Sequence, residues 1–186
     1  MRFRVQYNSP VVLTFALLSL GALALDTLTG GTTTRLFFCV YRSSLRDPLS
    51  YLRLFGHVLG HSGYAHYMGN MMLLLVIGPP LEEKYGSSQL LFCIAATAVV
   101  SGLVQVILFP HTGLLGASGI VFMMILLSSL AGMREGSIPL TLILVTILYL
   151  GGEVVDAVAL RDSVSQLTHI VGGLCGAGLG FAMNRA

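Results

Sequence analysis

The chain is 186 residues long, 55% hydrophobic and only 10% charged, with a formal net charge of +2. A soluble domain carries about 25% charged residues, so this composition leaves too little polar surface to cover a water-facing fold, and lipid is the solvent it suits. No basic cluster with interleaved aromatics is present, which argues against a nucleic-acid surface.

The charges are spaced as a membrane would space them. Residues 5–25, 54–81, 85–133, 136–152 and 163–184 contain no Asp, Glu, Lys or Arg. A spanning helix needs about 20 mostly apolar residues. As one helix the 85–133 run would be about 70 Å long, so it must fold back, and Pro110-His111-Thr112-Gly113 is the natural break. The reading is a single all-α polytopic membrane domain over 1–186, with six transmembrane helices.

In chain order, the first helix is placed at about 9–29. Arg2 and Arg4 before it, and Ala22-Leu23-Ala24 near its end, imitate a cleavable signal peptide, but the run is long enough to span. A connection at about 30–62 mixes Arg35, Arg42, Arg46 and Arg53 with Phe37, Phe38, Tyr41, Tyr51 and Phe55, as suits a segment lying among lipid headgroups. The remaining helices are placed at about 64–82, 87–109, 117–132, 137–157 and 165–183. Five basic residues fall on each side, so charge alone does not orient the bundle. Cys39, Cys93 and Cys175 lie in separate segments without Cys-x-x-Cys spacing, and neither a zinc site nor a disulfide framework is indicated.

Polar side chains inside a membrane are costly and mark function by default. His66 and Asn70 are i and i+4, so both face one way from the second helix, and both can donate hydrogen bonds to a developing negative charge. His57 and His61 repeat the spacing upstream. The alternatives are that these groups bond one another or backbone carbonyls, or hold a metal. The Glu that a His-Glu-x-x-His metal motif requires is absent, since Val58 and Ser62 follow the two histidines, and the expectation is no metal and no cofactor. Gly116-Ala117-Ser118-Gly119 sits where a loop becomes a helix. A serine there meets exposed N–H groups and the positive end of the helix dipole, and small neighbours admit a substrate backbone. It could equally be a simple N-cap. In the last helix His169 precedes Gly172, Gly176 and Gly180, which form a smooth stripe at four-residue spacing. If that stripe packs on the fourth helix, His169 reaches Ser118 and can act as its base. No carboxylate is placed to orient the imidazole, so a dyad is more economical than a triad. The competing reading is a packing stripe alone.

At these residues the sequence resembles the rhomboid family of intramembrane serine proteases. The family pattern His-x-x-x-x-His-x-x-x-Asn appears as His61 through His66 to Asn70, Gly-x-Ser-Gly as Gly116 through Ser118 to Gly119, and the histidine with spaced glycines as His169 through Gly172 to Gly176, in the family's order. The resemblance implies a minimal six-helix prokaryotic form. Ser118 would be the nucleophile, His169 the base, and His66 and Asn70 the oxyanion donors. His61, Gly116, Gly119 and Phe122 would support the site, Phe122 standing where the family often has Tyr. Arg53 and Glu82, with His57 nearby, match positions that tie the first loop to the second helix, and Leu52 replaces a frequent Trp. Implied too are single-pass membrane-protein substrates, a cytoplasmic-membrane location, and both termini in the cytoplasm. A non-catalytic relative that binds membrane partners, and a histidine-based proton transporter, are the rival readings.

Overall fold

The computed structural model describes residues 6–131, helical positions at 140, 143, 144 and 147, and 163–184, with the side chains of the last segment described from Ile170 to Met183. The order is α1 (Pro10–Leu28), α2 (Thr32–Phe37), β1 (Val40–Tyr41), α3 (Pro48–Gly56), a 3₁₀ turn (His57–Leu59), α4 (Tyr64–Tyr85), α5 (Ser87–Leu108), β2 (Gly113–Leu114), α6 (Ser118–Ala131) and α7 (Ser163–Asn184). The helix expected at 137–157 lies almost wholly outside the described residues.

Among the described residues, α1 and α5 are long and apolar enough by themselves to cross a membrane. α4 has 22 residues, but its own His, Asn, Glu and Lys interrupt its apolar surface. What makes α4 tolerable in lipid is packing. Leu74, Leu90, Cys93, Ile120, Met123 and Leu127 are fully buried in one core shared by α4, α5 and α6. α5 turns Thr97, Ser101 and Gln105, spaced four apart, into the same interior, where Ser101 Oγ returns a hydrogen bond to Thr97 O at 2.8 Å.

The 30–62 connection is more ordered than an interfacial strap needs to be. It carries α2 and α3, and β1 pairs antiparallel with β2, Val40 opposite Leu114 and Tyr41 opposite Gly113. Asp47 caps α3 by accepting from Leu49 N at 3.0 Å, with Pro48 in the first turn. The strand pair matters because β2 lies in the loop that leads into α6.

Candidate active site

Three sets of ties hold the approach to Ser118. Gln105 Nε2, near the end of α5, donates to Thr112 O at 3.1 Å and to Thr112 Oγ1 at 2.9 Å, fixing the 109–112 turn. β2 then pairs with β1, and Gly116 N donates to His57 O at 2.9 Å. Gly116 has φ +126, a conformation that L side chains rarely adopt, and a Cβ there would stand 2.9 Å from the His66 ring. The glycine therefore serves the backbone bend and the close approach of an imidazole at once. Ser118 begins α6 and is half-buried, with Ala117 fully buried behind it. The first N–H groups of a helix have no intrahelical partner, so donors converge beside this hydroxyl.

By helix rise, about 20 Å of α6 separates Ser118 from Ala131, whose carbonyl accepts from Lys84 Nζ near the far end of α4. About 30 Å of α4 separates Lys84 from Tyr64. Ser118 thus lies beneath the level at which α4 begins.

The α4 side is built around two histidines. His66 Nδ1 accepts from Ser62 N at 3.4 Å and lies 3.1 Å from Ser62 Oγ. Because a backbone N–H only donates, the proton of the neutral ring sits on Nε2, one of the two ring atoms nearest the position of the Gly116 Cβ. His61 is 1% exposed, donates from Nδ1 to Leu59 O at 3.1 Å, and sets its ring edge-on to His66 at 5.0 Å and to Tyr67 at 5.5 Å. Burial, then the neighbouring His66 charge, pushes the His61 pKa down to about 4. Asn70, 7% exposed, spends one amide N–H on His66 O at 3.2 Å.

α7 closes the other side. A Cβ at Gly172 would collide with Gly119 O, and one at Gly176 with Met123 O. Gly173 meets the Phe122 ring, whose Cε1 would be 2.6 Å from an added Cβ. The glycine stripe packs on α6 backbone to backbone, the two helices running parallel at a constant offset of 53 positions. The same offset sets the His169 backbone, inside α7, level with Gly116 and within one turn of Ser118. The His169 side chain lies outside the described residues.

A family model described as Rhomboid domain matches residues 48–186. The chain belongs to the rhomboid family. It is 28% identical over 160 residues to Rhomboid-related protein 2 of Mus musculus, covering 75% of this chain and 53% of the relative. It is 29% identical over 134 residues to Rhomboid protease GlpG of Pectobacterium atrosepticum, covering 70% of this chain and 48% of that protein. The chain thus spans about half the length of the curated relatives it matches. The family, with the long apolar helices α1 and α5, makes it an integral membrane protein.

The remaining expected residues sit in this rhomboid domain as structural ties, and one differs from expectation. Arg53, 3% exposed, donates to Leu36 O at 3.0 Å, Ser43 Oγ at 3.2 Å and Asp47 Oδ2 at 3.1 Å, and lies 4.5 Å over the Tyr41 ring. It knits the first loop to itself. Glu82 does not reach that loop. Its carboxylate accepts from Val11 N and Val12 N, each at 3.0 Å, and from Ser87 Oγ at 2.7 Å, joining α4 to the starts of α1 and α5. The reason is geometric: Glu82 is near the C-terminal end of α4, and the loop meets its N-terminal end. His57, 1% exposed, donates from Nε2 to Ala98 O at 3.0 Å, while its own carbonyl holds Gly116. Burial lowers its pKa to about 4. Among the described residues, no group of three His, Cys, Asp or Glu side chains could hold a metal.

Sequence reading missed Ser62, Gln105 and Thr112. Gln105 carried a signal, as an amide in an apolar run four residues before the Phe109-Pro110 break. Ser62 carried none, because its bond to His66 forms outside helical geometry.

Proposed function

We propose that this protein is an intramembrane serine endopeptidase that cleaves transmembrane segments of other membrane proteins with a Ser118–His169 dyad. The observation that carries the reading is the offset of α7 on α6, which sets the residue 169 backbone level with the loop entering Ser118, the same loop that the His66 ring approaches at Gly116.

In this reading Ser118 Oγ attacks the scissile carbonyl as His169 takes its proton. The oxyanion is held by His66 Nε2–H, the second N–H of the Asn70 amide and the Ser118 backbone N–H, which are preorganised donors in a site shielded from bulk water. His169 then protonates the leaving amine, and a water entering from the nearer aqueous face hydrolyses the acyl-enzyme. Non-helical backbone such as 109–117 is tolerated at membrane depth where it is buried in protein or beside a wet cavity, and its ties to Thr112, β1 and His57 are consistent with that. Six spans, a prokaryotic cytoplasmic membrane, cytoplasmic termini and single-pass substrates belong to the same proposal. It calls on no metal or cofactor.

The test is fluorophosphonate labelling of purified protein beside cleavage of a co-reconstituted single-pass substrate. Label at Ser118, absent from Ser118→Ala and strongly reduced in His169→Ala, supports the dyad. A folded wild-type sample that neither labels nor cleaves would leave a membrane-partner binder as the reading.

A further inference from the structure

A cavity of about 510 Å³ opens between the first loop and the 110–115 turn, and the proposed reaction does not use it. Its wall includes Thr34, Arg35, Tyr41, Arg42, His111 and Thr112, with no carboxylate among the described lining residues. Both arginines are exposed. The described acids of the first loop and the end of α1 are engaged elsewhere: Asp26 Oδ1 accepts from Thr34 N at 3.1 Å, and Asp47 makes the one salt bridge among the described residues, with Arg53. Among the described residues, neither guanidinium has a carboxylate partner, and the two share a concave site with hydroxyl and imidazole groups. That set of donors suits a phosphate, whose oxygens match the planar fork of arginine.

The position says where the phosphate would come from. α1 ends at Leu28 and Gly31 lines the cavity; α5 ends at Leu108 and Pro110 lines it. The two membrane-length helices therefore both finish within three residues of the wall, which puts the cavity at the boundary between hydrocarbon and water. Immediately below it the helix ends present Leu28, Ile107 and Leu108, each more than half exposed, as an apolar surface for acyl chains. The volume is in the range of small-molecule sites and larger than a bare phosphate requires.

We propose that this cavity binds the phosphodiester headgroup of an anionic phospholipid. The bound headgroup braces the turn that enters the catalytic loop: Gly113 pairs with Tyr41 in the cavity wall, Leu115 lines the same wall, and Ser118 follows three residues later.

Lipid retention tests this without reference to proteolysis. The full chain, purified in neutral detergent, is mixed with equal phosphatidylglycerol and phosphatidylcholine, and retained lipid is counted by native mass spectrometry. Phosphatidylglycerol should be retained preferentially. An arginine near a charged membrane surface contributes roughly fivefold in affinity, so Arg35→Ala with Arg42→Ala should cut retention by about tenfold or more. Lysine at both positions, which keeps the charge but not the planar fork, should restore part of it and show that the alanine variant is not simply misfolded. Arg46→Ala, in the same loop but outside the wall, should change little. Equal retention of both lipids, or an Arg46→Ala loss matching the double variant, overturns the proposal. So does displacement of phosphatidylglycerol by millimolar inorganic phosphate, which would make this a site for free anions. An arginine dependence seen only with acidic substrate segments, and not with lipid, would assign the cavity to substrate instead.

Discussion

The two ends of α4 carry polar groups of similar cost and treat them in opposite ways. At the C-terminal end Glu82 is 4% exposed, and its carboxylate takes three donors from two other helices. At the N-terminal end the groups are incompletely matched. His61 Nε2 is buried without a partner, and so is His57 Nδ1 in the 3₁₀ turn upstream. Asn70 commits one amide hydrogen to a helix carbonyl. A saturated buried charge reads as a structural tie. At the other end the unpaired ring nitrogens of His57 and His61 are acceptors, since each ring spends its proton on a carbonyl, and the donor with capacity to spare is the second Asn70 amide hydrogen. The contrast also separates histidine from histidine, since His57 and His61 are rings used as struts and His66 is the one turned on the serine loop.

The sharpest break of that contrast is chemical. Ser118→Ala should remove peptide cleavage altogether while leaving thermal stability near wild type, because only a hydroxyl is removed, from a residue that is not fully buried. Turnover of a co-reconstituted substrate by that variant would end the nucleophile assignment. Asn70→Ala comes next. Loss of one oxyanion donor slows acyl transfer by about 10² to 10³, and the expected loss is at or below that range because His66 and the backbone remain. It should appear in kcat and leave KM little changed. A pure KM effect would mean that Asn70 contacts substrate in the ground state.

The helix layout, though not this contrast, could be read largely from the sequence, and the reasons are physical. Charge-free runs fix helix positions because lipid penalises every charge, so the observed 64–85 and 87–108 lie close to the expected 64–82 and 87–109. The four-residue glycine stripe announced a close helix contact, and only the identity of the partner needed coordinates. What stayed hidden depends on through-space pairing. The β1–β2 bridge joins residues more than 70 positions apart through two-residue strands with no periodicity to detect. The loop tie expected of Glu82 rests on the family resemblance alone; the sequence by itself shows only that Arg53 and Glu82 border one apolar run, not which end of a helix faces which neighbour.

Acid should loosen the N-terminal end of α4 first. His57 and His61 both have folded pKa values near 4, below the usual 6.5, because burial disfavours the charged ring. The unfolded chain binds the protons that the folded chain refuses, so stability rises with pH across this interval. The contribution is complete above about 6.5 and is lost as pH falls toward 4, at a few kcal/mol for the pair. Thermal unfolding in detergent from pH 7.5 to 4.5 should show this slope, and His57→Gln should flatten part of it. An unchanged slope would mean that His57 is not buried as a neutral ring.

The smallest effect tests the saturated end. Glu82→Gln keeps the shape of the side chain but replaces two negative oxygens by one neutral acceptor and an amide donor. At most one of the Val11 and Val12 N–H groups then keeps a good partner, and the charge at the start of α1 is gone. Hydrogen bonds to a charged group are worth about 1.5–3 kcal/mol and neutral ones about half that, so a net loss of about 1–2 kcal/mol is expected, visible as a lower Tm. Labelling of Ser118 per folded molecule should not change, because Glu82 sits near the Lys84–Ala131 contact, about 20 Å of α6 away from the serine. A fall in labelling with Tm intact would show the reverse: that the α1–α4 tie is transmitted to the site, and that the two ends of α4 are not independent.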